Sequence, residues 1–384
     1  MASGVGKTTV ATGLMAALRA KGARVAAAKV GPDFIDPGYH ALATGRPGRN
    51  LDSWICGEAA VAPLAARAAL DSDVLVVEGV MGLFDGAAGD GPDASTASIA
   101  RHLEAPIVLV VDASALSRSV AALVHGYASF QPGTSLAGVI LNRVGSAGHE
   151  ILLRDALAPL GLPVLGALPR DPALTWRDRH LGLVPVAEHP ADARAALDRL
   201  AEVVADHVDL AALMKLGRGA PERSVGAPAL PARAGRARVA VAGGPAFTFL
   251  YRDNLEALEA AGAELLPFDP LTQRALPEGA DALYVGGGFP EVYAGALADN
   301  RELLADVRDR IASGLVTWAE CGGLLWLARS LDGRSLAGIV PADARMTARL
   351  SLGYRTATAR EDTPVAAAGT MLRGHEFHYS ELDP

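Results

Sequence analysis

A glycine-rich loop that ends in lysine and threonine lies near the start of the chain, at Ser3-Gly4-Val5-Gly6-Lys7-Thr8-Thr9. In phosphate-binding loops, glycines let backbone N–H groups surround phosphate oxygens, the lysine reaches the β- and γ-phosphates, and a hydroxyl ligates Mg²⁺. The pattern therefore predicts a nucleoside triphosphate and Mg²⁺. The predicted cofactor-binding residues in this loop are Gly4, Gly6, Lys7, Thr8 and Thr9.

The neighbouring sequence decides between a working loop and a chance Gly-Lys-Thr run. The first glycine of the regular motif would fall on Met1, and no strand precedes the loop. However, helical spacing follows over 10–20, and Arg24 to Val30 predicts a strand. Loop, helix and strand in this order is the context that the motif requires, so nucleotide binding is favoured.

Cys321 is the second candidate for chemistry. An apolar strand ends before it, and Gly322, Gly323 and a predicted helix follow. This order is typical of a nucleophile elbow, in which the helix N-terminus lowers the thiol pKa and the Gly322 N–H stabilises an oxyanion. The glycine turn at Gly287 and Gly288 could supply another oxyanion N–H. The alternatives are a buried inert cysteine and an ordinary strand-to-helix turn.

Composition restricts the possible partners and compartments. The chain has 384 residues, 50% of them hydrophobic, and a net charge of −8. No basic stripe is present, which argues against a nucleic-acid partner. Two cysteines exclude a disulfide scaffold and fit a reducing cytoplasm. No apolar run is long enough to cross a membrane, so no membrane partner is expected.

Strands and helices alternate along both halves of the chain. Continuous apolar runs at 74–77 and 106–111 predict strands that are covered on both faces. The predicted fold class is α/β, with two doubly wound domains, the first P-loop NTPase-like and the second flavodoxin-like. The predicted divisions are a P-loop domain over 1–213, a Gly-, Pro- and Arg-rich linker over 214–237, and a second domain over 238–384.

Several longer strings resemble one family, the a,c-diamide synthases that act on cobyrinate or hydrogenobyrinate, and the resemblance covers essentially the whole chain. The strings are Lys29-Val30-Gly31-Pro32-Asp33-Phe34-Ile35-Asp36-Pro37, Arg49-Asn50-Leu51-Asp52, Glu78-Gly79-Val80-Met81-Gly82-Leu83-Phe84-Asp85-Gly86, Arg179-His180-Leu181-Gly182-Leu183, Ala319-Glu320-Cys321-Gly322-Gly323 and Gly374-His375-Glu376-Phe377-His378-Tyr379-Ser380.

The resemblance implies an ATP-dependent amidoligase domain of the dethiobiotin-synthetase type, joined to a class I-like glutamine amidotransferase domain. Cys321 would release ammonia from L-glutamine. The ligase would use ATP and Mg²⁺ to phosphorylate the c-carboxylate and then the a-carboxylate of a corrinoid. Ammonia would convert each acyl phosphate into an amide in the cytoplasm.

The same resemblance assigns roles to residues that stand at strand ends. Glu78 closes an apolar strand, a common place for a Mg²⁺ contact, and is implied to be catalytic together with Asp85. Asn142 resembles an adenine-side residue. Asp85 and Asn142 could alternatively be turn residues. The implied substrate loop consists of Asp33, Phe34, Ile35 and Asp36, and the implied metal ligands are Thr8, Asp33 and Glu78.

The glutaminase base is not assigned to His375 or His378, because in the family the histidine that pairs with the cysteine follows this string. We expect a sequence trimmed at both ends, with an apparently truncated second domain that lacks this base. We also expect exposed sheet edges that favour aggregation. Ammonium-dependent ligation would not need the histidine. A homodimer is possible.

The sequence also leaves other functions open. A related enzyme of the same family amidates nickel sirohydrochlorin. A P-loop partitioning-type ATPase would share the loop but would not carry a Cys321-type domain. A degenerate fragment would bind nucleotide without catalysis.

Overall fold

The computed structural model describes residues 3–87, 93–171, 178–179, 182–183, 186, 190–220 and 235–384. It divides into two compact units, Met1–Pro228 and Ala229–Pro384. Residues 214–218 of the predicted linker are helical, because Met214 and Leu216 pack against apolar cores of unit 1. Residues 221–234 of that linker lie outside the described part, and the domain limits stay a prediction.

Unit 1 alternates helices and strands, as the apolar runs predict. Its elements are α1 (Lys7–Ala20), β1 (Val25–Val30), α2 (Asp36–Thr44), β2 (Arg49–Leu51), α3 (Glu58–Ala69), β3 (Val74–Glu78), α4 (Thr96–Leu103), β4 (Ile107–Asp112), α5 (Ser119–Ser129), β5 (Leu136–Val144), α6 (Ala147–Leu157), β6 (Val164–Pro169), β7 (Asp178–Arg179), β8 (Gly182–Leu183), α7 (Pro190–His207) and α8 (Leu210–Arg218).

Two three-stranded parallel sheets organise this unit, in the orders β2-β1-β3 and β4-β5-β6. Their registers bring polar residues side by side at the strand ends. Lys29 on β1 is opposite Glu78 on β3, and Asp112 on β4 is opposite Asn142 on β5. Ligands of open α/β sheets bind at this carboxyl end of the strands, so the registers place these four residues where a site is expected.

A largely apolar cavity of about 600 Å³ lies within unit 1. The edge strands β3 and β4 both line it, and so do apolar residues of α1, such as Val10 and Leu14. Val10 and Leu14 also pack with Leu200 and Val204 of α7. The helix that follows the phosphate loop is therefore held by apolar contacts along its length.

Unit 2 is built on a second parallel sheet, in the order β10-β9-β11-β12, which is typical of flavodoxin-like folds. Its elements are β9 (Arg238–Ala242), α9 (Arg252–Ala260), β10 (Glu264–Phe268), β11 (Ala282–Val285), α10 (Ala294–Asp299), α11 (Arg301–Ala312), β12 (Val316–Ala319), α12 (Gly322–Leu327), β13 (Ala328–Leu331), β14 (Arg334–Ser335), β15 (Val340–Thr358) and β16 (Met371–Asp383).

A further sheet of unit 2, in the order β14-β13-β15-β16, was not predicted. Its long antiparallel pair β15–β16 has mixed polar and apolar residues and exposed side chains on both strands. Such strands lack the continuous apolar run that marks a buried strand, which is why the sequence did not indicate them. Of the helices in the described ranges, none is long and apolar enough to cross a bilayer.

Candidate functional site

The phosphate loop adopts a conformation that needs glycine at two positions. Gly4 has φ 81° and Gly6 has φ 91°, both in the left-handed region. Gly6 is the N-cap of α1, whose first three residues are Lys7, Thr8 and Thr9. The Asn142 side chain donates to the Val5 carbonyl over 2.9 Å. A Cβ on Gly6 would clash with this amide, so the Asn142 side chain packs directly against the loop.

A buried polar cluster lies directly beside the loop, and we define it as Thr8, Lys29, Asp36, His40 and Glu78. The Thr8 hydroxyl donates to Glu78 Oε1 over 2.5 Å and lies 3.1 Å from Asp36 Oδ2. Lys29 Nζ lies 2.7 Å from Glu78 Oε1 and 2.6 Å from Asp36 Oδ2. His40 Nε2 is 2.6 Å from Glu78 Oε2. The loop, β1, α2 and β3 therefore meet at one carboxylate.

Burial makes the charges of this cluster interdependent. Burial alone would lower the pKa of Lys29, but Glu78 and Asp36 raise it above its usual range. Burial would raise the pKa of Glu78, yet Lys29 and His40 hold that pKa well below its usual range. Burial and the Glu78 charge raise the pKa of Asp36 to about 6 despite Lys29. Of the two carboxylates in the cluster, Glu78 is therefore the one that stays ionised to lower pH.

The Lys7 ammonium group interacts electrostatically with the buried polar cluster. Burial lowers the pKa of Lys7, the Lys29 charge lowers it further, and the carboxylates of Glu78, Asp36 and Asp85 oppose this. Two lysines in a partly desolvated site form a strong field for an anion. The arrangement suits a polyphosphate, whose charge would relieve the repulsion between the two lysines.

The predicted substrate loop is held by hydrogen bonds within unit 1. Asp33 Oδ1 accepts from the N–H groups of Ile35 and Asp36 over 2.8 and 2.9 Å, at the point where α2 begins. Asn50 Nδ2 donates to the carbonyls of Gly31 and Asp33. Phe34 is half-buried and Ile35 is buried. These contacts give the loop a fixed shape.

The string from Arg179 to Leu183 is described only in part. Arg179 belongs to β7, and Gly182 and Leu183 form β8, whereas His180 and Leu181 lie outside the described residues.

Asp85 lies in an exposed turn, where its Oδ2 accepts from the Gly82 N–H over 2.8 Å. This contact fits the turn alternative, whereas the effect of Asp85 on Lys7 fits a role in the site.

The Thr8 hydroxyl and the Glu78 carboxylate supply the kind of ligands that Mg²⁺ prefers, hard oxygens, and lie 2.5 Å apart. P-loop proteins hold Mg²⁺ with a hydroxyl and an acidic side chain in this way, together with nucleotide oxygens. The described residues contain no group of three or more His, Cys, Asp or Glu side chains able to hold a metal alone. Thr8 and Glu78 thus offer two oxygens to a cation that nucleotide oxygens would also contact.

Cys321 occupies a strained turn between β12 and α12, with φ 50° and ψ −111°. A non-glycine residue at positive φ is typical of a nucleophile elbow. A Cβ on Gly322 would lie 2.9 Å from Pro290 Cδ, and a Cβ on Gly288 would clash with the Ala246 carbonyl. The glycines are therefore needed for close packing around Cys321.

Two backbone amides face the Cys321 sulfur, those of Gly288 and Gly322. Gly287 was predicted to be a third donor, but its N–H donates to the Phe249 carbonyl over 3.2 Å. An isolated bridge between these two residues uses that N–H, which removes Gly287 from the candidate oxyanion donors. Gly288 and Gly322 remain the proposed pair.

The thiol pKa differs in direction from the sequence-based expectation. Desolvation by the surrounding protein raises the pKa of Cys321, and the nearby Glu291 and Glu320 charges add to it, outweighing the Gly322 and Gly288 amides. The Gly322 amide at the helix N-terminus does lower the pKa, as expected, but the net direction is upward. A thiol in this environment needs a base to become a good nucleophile.

The two histidines near the end of the chain have partners on their own hairpin. His378 Nε2 is 2.8 Å from Glu376 Oε1, and His378 Nδ1 is 2.9 Å from the Ser380 carbonyl. The His375 ring packs edge-on against Tyr354 and Phe377. These contacts give no reason to assign the glutaminase base to either residue.

Sequence reasoning gave no role to Lys29 or His40, which the structure places in the buried polar cluster. A signal was present for both. Lys29 is the only charged residue within the apolar strand β1, and a lysine is rarely buried there without a partner. His40 follows Asp36 by four residues, which puts both on one face of α2.

Comparison with known proteins agrees with this two-part architecture. Residues 238–384 match the family described as "CobB/CobQ-like glutamine amidotransferase domain", and residues 1–184 match the "CobQ/CobB/MinD/ParA nucleotide binding domain". The septum site-determining protein MinD from Pyrococcus horikoshii, solved with Mg-ADP, aligns with a TM-score of 0.30 and 20% identity over 53% of this chain and 91% of that one. A TM-score this low does not show a shared fold.

Curated relatives match nearly the full chain. A hydrogenobyrinate a,c-diamide synthase from Streptomyces coelicolor is 52% identical over 100% of this chain and 86% of its own length. One from Thermobifida fusca is 51% identical over 98% and 82%. A cobyrinate a,c-diamide synthase from a Synechococcus strain is 43% identical over 99% and 85%.

Proposed function

The chain belongs to the cobyrinate and hydrogenobyrinate a,c-diamide synthase family, and from this premise we propose how it amidates the a- and c-carboxylates of a corrinoid in cobalamin biosynthesis. It is a carbon–nitrogen ligase with a nucleotide-binding domain and a glutamine amidotransferase domain. The observation that carries the mechanism is the buried polar cluster beside the phosphate loop, in which Glu78 contacts Thr8 and Lys29.

The first step makes a poor electrophile reactive. A substrate carboxylate oxygen attacks the γ-phosphorus of ATP, the bond to the β-phosphate oxygen breaks, and an acyl phosphate and ADP form. Lys7 and Lys29 are positioned to attract the transferring phosphoryl group, because both charges lie at the loop. The substrate loop containing Asp33 would orient the carboxylate for in-line attack.

Thr8 and Glu78 would hold Mg²⁺ together with the nucleotide. When bound, this ion neutralises charge on the phosphates during transfer. Glu78 suits the role because its charge persists in a buried position, and the Thr8 hydroxyl already lies against it. The Asn142 side chain would keep the loop backbone in its phosphate-binding shape through Val5.

Ammonia completes the reaction by attacking the acyl carbon, and phosphate leaves. In the second unit, the Cys321 sulfur would attack the side-chain carbonyl of L-glutamine, release ammonia, and leave a thioester that water hydrolyses. The Gly288 and Gly322 amides, which face this sulfur, would stabilise the oxyanion. Free ammonium can replace this source.

We propose hydrogenobyrinate as the preferred corrinoid. Three relatives that carry this name are 50–52% identical to the chain, whereas three named for cobyrinate are 42–45% identical. A cytoplasmic location is proposed from the cysteine content of the sequence, which is two cysteines in 384 residues. Pairing into a homodimer is also a proposal, which sedimentation would test.

One assay tests the function. The protein is incubated with ATP, MgCl₂ and either ammonium or glutamine, together with hydrogenobyrinate, cobyrinate or nickel sirohydrochlorin, and products are followed by mass. We expect two amides to be added to hydrogenobyrinate with ammonium. Amidation of the nickel compound alone would favour the related family activity. No mass change on any tetrapyrrole, with ATP binding intact, would refute the ligase and favour a nucleotide-binding protein.

The role of Asp85 can be tested by Asp85→Asn. Asparagine keeps an oxygen that accepts the Gly82 N–H, so the turn should survive and only the charge is lost. We expect rates with glutamine and ammonium to fall equally, by about 100-fold, as for loss of a catalytic carboxylate. Asp73→Asn, a change at an exposed ion pair with Arg24, is the matched control. Unchanged rates for Asp85→Asn would make it a turn residue only.

A further inference from the structure

His40 is fully buried on α2 and has one polar partner in the described structure. Its Nε2 lies 2.6 Å from Glu78 Oε2, whereas no hydrogen-bond partner is found for its Nδ1 among the described residues. An ionised carboxylate only accepts, so Nε2 must carry the hydrogen of this bond.

The bond divides the two oxygens of Glu78 between different neighbours. Oε2 is held by His40, whereas Oε1 receives the Thr8 hydroxyl at 2.5 Å and Lys29 Nζ at 2.7 Å. A carboxylate can rotate about its last bond, and a single donor on one oxygen limits this rotation. With Oε2 fixed, Oε1 stays on the side of the phosphate loop.

The same contact links the substrate loop to the phosphate site. Asp36 and His40 lie one helical turn apart on α2, so one face of that helix contacts both Lys29 and Glu78. Asp33 Oδ1 accepts from the N–H of Asp36, the first residue of the same helix. A shift of α2 would therefore move the loop and the Glu78 carboxylate together.

We infer that His40 is a positioning residue, whose Nε2–H holds Glu78 Oε2 and so directs Oε1 toward Thr8 and the cation of a bound nucleotide. The inference rests on the proposed function, because it assumes Mg²⁺-ATP at the loop. Partners that orient ligands from behind typically change metal affinity or activity by 10- to 100-fold when removed. A histidine that only filled space in the core would have no such effect.

The test measures binding of a non-hydrolysable ATP analogue by calorimetry over a range of MgCl₂ concentrations. His40→Leu removes the donor, and we expect it to raise the MgCl₂ concentration for half-maximal binding by about 10- to 100-fold. His40→Gln can place an N–H near the Nε2 position and should restore a value close to the wild type. Thr44→Ala, which removes a buried hydroxyl that bonds to the His40 carbonyl, is the matched control on α2.

A second pair of variants keeps the test decisive if leucine prevents folding. His40→Asn is polar but too short to reach Glu78, so it should resemble the loss variant, in contrast to His40→Gln. Equal Mg²⁺ dependence in the asparagine, glutamine and wild-type proteins would overturn the inference. If instead all variants bind the analogue as expected and no corrinoid is amidated, the inference stands and the proposed function fails.

Discussion

Glu78→Gln should reduce ATP-dependent amidation by about 100-fold or more, with ammonium as well as with glutamine. The substitution preserves shape but removes the charge that Lys29, Thr8 and His40 all contact. It leaves Lys29 with Asp36 as its remaining carboxylate in the cluster, and a broken buried pair typically costs about 3–5 kcal/mol. Rates from both nitrogen sources and the free energy of unfolding are the measurements.

Glu150→Gln provides a matched control, because it makes the same chemical change at a half-buried i,i+4 pair with Arg154, away from the cluster. The pH dependence of stability separates charge from packing. The folded pKa of Glu78 is depressed, so its charge stabilises the protein above its ordinary pKa of 4.5, and this contribution is lost as pH falls below it. The stability difference between wild type and Glu78→Gln should therefore shrink in acid. Wild-type amidation rates in a folded variant would remove Glu78 from the mechanism.

The parts of the fold that the sequence could indicate are those with a local signature. Apolar runs marked β3 and β4, although most residues of both strands are only partly buried in the structure. The elbow at Cys321 was visible because tight turns need glycines at fixed positions, here Gly322 and Gly323. Both signals depend on residues within a few positions of each other.

Features that depend on distant residues were less predictable. The buried polar cluster joins Thr8, Lys29 and Glu78, which are separated by up to 70 positions and meet through the register of β1 and β3. Whether Gly287 or Gly288 faces the thiol depends on pairing with Phe249, and the direction of the thiol pKa depends on burial. Such outcomes follow from packing rather than from local pattern.

Cys321→Ala should abolish glutamine-dependent amidation and leave the ammonium-dependent rate unchanged. Removing a nucleophile typically lowers the rate by about 10⁴-fold or more, so any glutamine-dependent rate should fall to background. Ammonium bypasses this step, because it supplies the attacking nitrogen directly. The comparison of both nitrogen sources in one variant also detects misfolding, which would lower both rates. Persistent glutamine use would show that Cys321 is not the nucleophile.

Thiol alkylation gives an independent reading of the same residue. Because the pKa of Cys321 is raised above 9.0, its reaction with iodoacetamide should keep increasing with pH beyond that of an ordinary exposed cysteine. Cys56→Ala retains only Cys321 and Cys321→Ala retains only Cys56, so each profile can be measured alone. The same profile can be measured with glutamine bound. If it moves to lower pH, desolvation and the Glu291 and Glu320 charges are the features that keep the thiol inactive without substrate.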